Sequence, residues 1–221
     1  AQKFARVVMG TNNVDVSSNL KPELVEPLGE MLGYQGSTNS IWDLKGAKSI
    51  LVVSSNITEE HNVVAIPLKE AVRNGSPLVV VDSRETELTQ LATKWLRPKP
   101  GTDPAVIGAI LRVIMEESLD DHEFLNKRVE NLDHWKNSLW EFDLVRVEKL
   151  TGVSQEDIRE AARLVASNTP LAILYALETI ESNSRTSCVK ALVSLSLVTG
   201  SLGNESGGLF PLYSGTNGQG S

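Results

Sequence analysis

Two short runs rich in β-branched residues, "SILVVSS" at 49–55 and "PLVVVDS" at 77–83, constrain this chain more than any other feature. Both are apolar throughout rather than alternating, the pattern of strands covered on both faces, and such strands belong to parallel sheets. Between them "EEHNVVAIPLKEAVRNG" sets Val63, Ile66, Ala71 and Val72 at helical spacing and stops at Gly75. Pro67 is expected either to kink this helix or to mark its first turn. Strand, helix and strand over this length make a βαβ unit, which is right-handed almost without exception.

The same alternation continues downstream. "TELTQLATKWL" predicts a short helix and then a third strand near Lys94–Leu96. "GTDPAVIGAILRVIMEES" predicts a helix with Asp103 as N-cap and Pro104 at the first helical position. "DDHEFLNKRVENLDHWKNSLWEF" reads as two short amphipathic helices, and "SQEDIREAARLVA" opens with Ser154 and Asp157 in capping-box spacing. "LAILYAL" at 171–177 is a further buried strand, and "RTSCVKALVSLSLVTGSLG" an apolar helix stopped by Gly200. The expected fold is α/β, a Rossmann-like, doubly wound, mainly parallel sheet flanked by helices.

Composition narrows the function. A net charge of −7, with basic residues scattered among acids, excludes a nucleic-acid surface. No apolar run reaches the length of a membrane span. The single cysteine, Cys188, excludes an internal disulfide and a multi-cysteine metal site within these residues. It sits in an apolar segment, where an inert buried thiol is the expectation, and the Met and Trp residues are likewise expected on core-facing helix surfaces. "FARVVMG" begins in an apolar run and "LYSGTNGQGS" stops within a Gly-rich loop, so a piece of a longer subunit is expected.

In open parallel sheets ligands bind beyond the carboxyl ends of the strands. That rule selects Ser54, Ser55, Asn56 and Thr58 after the first strand, then Asp82, Ser83 and Arg84, then Gly101, Thr102 and Asp103. An acid followed by Ser-Arg suits a nucleotide, with Asp82 accepting from ribose or guanine and Arg84 meeting a phosphate. On spacing alone a cap or turn role is the favoured reading for each. No G-x-G-x-x-G or phosphate-binding P-loop is present. Of the histidines only His61 lies near the strand ends, where a capping role competes with a functional one. The acidic pairs, Glu59-Glu60 among them, read as solvated faces.

Taken in order, "GTNNVD", "STNSIWDLKGAKSILVVSSNITEEH", "RNGSPLVVVDSRETELTQLATKWLRPKPGTD", "KLTGVSQEDIREAARLVA" and "SLSLVTGSLGNESGGLFPLYSGTNGQG" resemble the molybdopterin oxidoreductases, the dimethyl sulfoxide reductase superfamily. The likeness is strongest to formate dehydrogenase α subunits, and the large iron–sulfur subunit of NADH–quinone oxidoreductase is similar too. The resemblance implies residues 16–170 as a Rossmann-like cofactor domain, 1–15 as part of a neighbouring domain, and 171–221 as a truncated return into that neighbour. It implies a pair of molybdopterin guanine dinucleotides holding molybdenum or tungsten, and a [4Fe–4S] cluster in a region upstream. It matches Asn56, Asp82, Arg84, Gly101 and Asp103 to the segments that receive the dinucleotide, and Asn217 and Gln219 to a later contacting loop. The implied partners are iron–sulfur subunits and NADH- or quinone-linked redox subunits. A cytoplasmic setting is expected, with a periplasmic one left open because an export signal would lie upstream.

The departures are as informative. Six residues after the aspartate of "NNVD" these formate dehydrogenases carry a metal-ligating cysteine or selenocysteine, then a histidine; here Lys21 and Pro22 stand there. A protonated ammonium has no lone pair to give a metal, and proline has no acid–base group. After "LAILY" the family's Gly-Met-Gly turn is Ala176-Leu177-Glu178, which adds bulk and charge beside an anionic dinucleotide. Its later Arg-Gly pair is Tyr213-Ser214. Two readings follow: a formate-dehydrogenase-like oxidoreductase with altered or lost catalysis, and a non-catalytic scaffold subunit of an electron-transfer complex.

Overall fold

A computed structural model of the chain describes residues 2–14 and 21–213. Its centre is a five-stranded sheet of β1 (Ser49–Val53), β2 (Leu78–Val81), β3 (Lys94–Leu96), β4 (Leu171–Tyr175) and β5 (Gly208–Pro211). The spatial order is β3-β2-β1-β4-β5 and every pairing is parallel. The expected fold class is therefore the observed one.

Strand side chains alternate between two cores, as a period of two requires. Leu51, Val53, Val79, Val81, Ile173 and Tyr175 enter one cluster, while Ile50, Val52, Leu78, Val80, Ala172 and Leu174 enter the other. The first face is covered by α6 (Asp103–Glu116), α10 (Gln155–Ser167) and α11 (Ser182–Val198), the second by α4 (Asn62–Arg73) and the 3₁₀ turn Ile41–Gly46. Handedness explains the division. The chain steps outward from β1 to β3 with its crossovers on one face. Past β3 it steps the opposite way, to β4 and then β5, so right-handed crossovers fall on the other face.

Shorter elements complete the chain. They are α1 (Gln2–Val7), α2 (Glu26–Leu32), α3 (Ile57–Glu60), α5 (Glu87–Leu91), α7 (His122–Arg128), α8 (Leu132–Ser138) and α9 (Leu144–Thr151). α10 starts as its sequence foretells, with the Ser154 side chain accepting from the amide of Asp157.

Several expectations are corrected. Pro67 does not mark the first turn: it lies inside α4, buried, five residues past the start. The ring fills core space and sacrifices one backbone donor in a helix held by its packed face. Asp103 is the first residue of α6, and Thr102 is the cap residue, without a side-chain cap bond. Trp42 and Trp140 are about half exposed or more, at 51% and 64%, and Met9 and Met31 are exposed as well, so these residues are not core. Trp140 instead lies under the guanidinium of Arg112, 4.9 Å from ring centre to cation. β4 and β5, on the far side of residue 170, pair beside β1 in the same sheet.

Candidate cofactor-binding site

Where strand order reverses, the loops leaving two adjacent strands part and open a crevice. Here that switch point falls between β1 and β4. The two strand ends are fastened beneath it. The amide of Glu178 donates to the carbonyl of Ser54 (3.1 Å), the amide of Thr179 donates to the Ser54 hydroxyl oxygen (2.8 Å), and the Ser54 and Thr179 hydroxyls bond each other. Ser54 and Leu177 both hold positive φ, +46° and +54°, a left-handed conformation costly for side chains of this kind.

One strand further, Asp82 and Arg84 meet each other. The fully buried Asp82 carboxylate accepts from the Arg84 amide (2.8 Å) and takes the guanidinium through both oxygens, each at 3.3 Å. The same guanidinium reaches Glu178 at 3.1 Å. It therefore runs from the end of β2, past β1, to the turn after β4. Its charge-assisted bonds to Asp82, then Glu178, hold Arg84 firmly cationic.

Glu178 also faces Glu60. Hydrogen-bonding interaction with the Glu178 carboxyl, followed by burial and the Glu178 charge, raises Glu60 to about 7. Burial opposes ionisation of Glu178, but hydrogen-bonding interaction with Glu60 and Arg84 outweighs it and keeps its carboxyl below the usual range. Lys21 adds positive charge to both. His61 caps the junction of α3 and α4, and burial holds its imidazole below the ordinary value. Its Nε2 is buried without a hydrogen-bond partner among the described residues.

Asp103 is fully buried at the start of α6, and neither carboxyl oxygen has a hydrogen-bond partner among the described residues. Burial pushes its carboxyl up to about 6. The amides of Asp103 and Gly101 oppose that rise electrostatically without closing hydrogen bonds, and the Asp82 charge adds to it. The Ser55 hydroxyl is likewise buried and unpartnered among the described residues. Gly101 holds φ +82° with open space where a side chain would begin. Buried polar atoms left unpaired are uncommon, and a cluster along one strand edge suits a polar ligand.

The structure thus brings together Asp82, Arg84, Gly101 and Asp103, with Lys21 near Glu60, His61 and Glu178. Asn56 stands at the end of β1 as the residue before α3. Pro22 is exposed and begins a 3₁₀ turn, Pro22–Leu24. Asn217, Gln219 and Ser214 lie outside the described residues. Glu60 is exposed, as expected of a solvated face, but the sequence did not signal that it faces Glu178, nor what holds the segment that carries Lys21. That segment is tied down where Glu23 accepts from Arg185 and Ser182, each at 2.7 Å, and where the buried Tyr175 hydroxyl donates to Leu24 (2.9 Å). These partners are far apart in the chain, so no local pattern signals them.

Among the described residues no cluster of three or more metal-ligating side chains occurs, and no helix is long and apolar enough to cross a membrane. A surface cavity of about 1070 Å³ lies away from the strand ends, between α2, α7 and the turn after α11.

A doubly wound parallel sheet with the buried, unpaired Asp103 carboxyl and Ser55 hydroxyl at its carboxyl edge is of the class whose ligands lie across the strand ends. The comparisons make the class specific. The sequence model of the molybdopterin oxidoreductase family matches residues 1–220, and the chain belongs to that family. It is 36% identical over 220 residues to the F420-dependent formate dehydrogenase 2 subunit alpha of Methanococcus maripaludis, covering 99% of this chain and 32% of that one. It is 33% identical to formate dehydrogenase H of Escherichia coli, covering 99% and 31%. With the NADPH-Fe(3+) oxidoreductase subunit alpha of Geobacter sulfurreducens the identity is 32%, covering 98% and 26%. Acetylene hydratase from Pelobacter acetylenicus superposes with a TM-score of 0.73 at 27% identity, covering 84% of this chain and 25% of that one. The chain thus spans about a third or less of the length of these relatives.

The family implies a molybdopterin cofactor, and the residues fit it unevenly. The unpaired Asp103 and Ser55 groups and the open space over Gly101 suit the donors of a nucleoside. At the switch point the Glu178 carboxylate lies on Arg84 and is ill suited to a neighbouring diphosphate.

Proposed function

We propose that this chain is the central, dinucleotide-receiving part of a formate-dehydrogenase-like molybdenum or tungsten oxidoreductase subunit, with catalysis altered or lost. The buried, unpartnered carboxyl of Asp103 carries the reading. It lies beside Asp82, where a guanine or ribose donor would satisfy both its oxygens. Asp82 orients Arg84, and Gly101 leaves the backbone open to close approach. The bound cofactor would supply two-electron redox chemistry at its metal, feeding an iron–sulfur centre in the whole subunit. The contribution of this chain is to bind and orient. At the position of the metal ligand Lys21 offers a charge that can guide an anionic substrate but no thiolate. Redox subunits linked to NADH or quinone are the partners this reading implies.

Lys21 and Glu178 favour a second reading, a scaffold subunit that keeps the fold without the pterin. The experiment that separates the two is elemental analysis of the intact, natively produced subunit with release of GMP on acid hydrolysis. About two GMP per molybdenum or tungsten is expected for the first reading. Iron without GMP, molybdenum or tungsten would leave the scaffold.

A further inference from the structure

Glu178 holds the cation that a ligand phosphate would need. We propose that its carboxylate is a tethered competitor for the anion site on Arg84, and that this one side chain makes the crevice between β1 and β4 reject a diphosphate. The inference bears on the choice between the two readings of the chain: a crevice that rejects a diphosphate does not take a dinucleotide across it, which favours the scaffold, and the anion site itself rests on Arg84.

Topology sets the place, since a ligand crossing an open parallel sheet lies over the switch point. Arg84 is the cation that reaches it from the neighbouring strand end. Its guanidinium is occupied on one side by both oxygens of Asp82 and on the other by Glu178 at 3.1 Å. Asp82 is buried and serves as the orienting partner. Glu178, with 14% of its side chain exposed, stands toward the crevice. A diphosphate approaching Arg84 meets that carboxylate and the Glu60 carboxyl that faces it, with Lys21 as the further positive charge nearby. Like charges brought together at a site only partly open to solvent repel each other more strongly than in bulk water.

The backbone gives Glu178 little freedom to withdraw. Its amide is bonded to Ser54, the next amide to the Ser54 hydroxyl oxygen, and the preceding Leu177 is buried in a left-handed conformation. Displacement must come from side-chain rotation, which exposes Arg84 but leaves the carboxylate in the same crevice.

The test is calorimetric titration of pyrophosphate and, separately, GDP into the purified full-length subunit. Wild type is compared with Glu178→Gln, Glu178→Gly and the double variant Glu178→Gln/Arg84→Met. The glutamine is isosteric and preserves the turn, and the glycine gives a second route should it not. Pyrophosphate affinity is expected to rise at least tenfold in both single variants and to return to the wild-type level in the double variant. Unchanged or undetectable pyrophosphate binding in the single variants overturns the proposal. A tenfold gain for pyrophosphate with none for GDP upholds the competitor and removes the dinucleotide reading. Tight GDP binding in wild type, indifferent to residue 178, upholds the dinucleotide reading and overturns the competitor.

Discussion

A single buried carboxyl gives the most direct access to the site. Asp103, raised from 3.8 to about 6 chiefly by burial, prefers its neutral form in the fold. Such a group contributes stability in full below its unfolded value and loses it as pH rises through the folded one. The window is therefore about pH 4 to 6, and the loss is on the order of 3 kcal/mol. Asp103→Asn should abolish that slope, which chemical denaturation of both proteins from pH 4 to 7 would show as a difference curve. An identical slope in the variant would mean that Asp103 is hydrated or paired. The residues at this edge were legible because polar side chains directly follow apolar runs, which drew attention to Asp82, Arg84 and Asp103. Their pairings were not. Arg84 and Glu178 lie 94 residues apart, and Glu60 looks like any solvated acid until the fold sets it against Glu178.

At the level of elements, strands and long helices could be read from the sequence because burial on both faces and helical spacing each leave a local pattern. Two short elements escaped. α1 has no buried residue to create a periodic stripe, and β5 is only four residues long and begins in a glycine-rich stretch. Pro67 misled because its fixed φ suits a helix interior as well as a helix start. The core-facing helices also carry constraints that propensity alone would misjudge. Gly108 sits within α6, where alanine would ordinarily favour the helix by about 1 kcal/mol. A methyl group there would overlap the ring of Phe142. Gly108→Ala is therefore expected to destabilise the fold by about 1–3 kcal/mol. Adding Phe142→Leu should recover part of that loss. Urea midpoints for the three proteins decide the matter, and a more stable Gly108→Ala would show that Phe142 moves aside freely.

At the scale of the molecule, a fully parallel sheet with helices on both faces makes one edge of the strands the meeting place of five loops, which is why the site was foreseeable before any contact was known. The sheet also reaches outward. Tyr175, buried within β4, donates its hydroxyl to the carbonyl of Leu24, so the segment after Lys21 is held from the centre of the core. Tyr175→Phe should cost about 1–3 kcal/mol by leaving that carbonyl unpaired. It should also speed amide exchange across residues 21–25 more than in the sheet, and uniform exchange would show the tether to be unimportant.

That tether has an evolutionary consequence. Restraints from Tyr175, Ser182 and Arg185 all fall on Leu24 and Glu23, and none depends on the identity of residue 21. Residue 21 is therefore free to vary with little penalty to folding, and on the proposed reading a lineage could change the chemistry offered there while the scaffold that presents it persists.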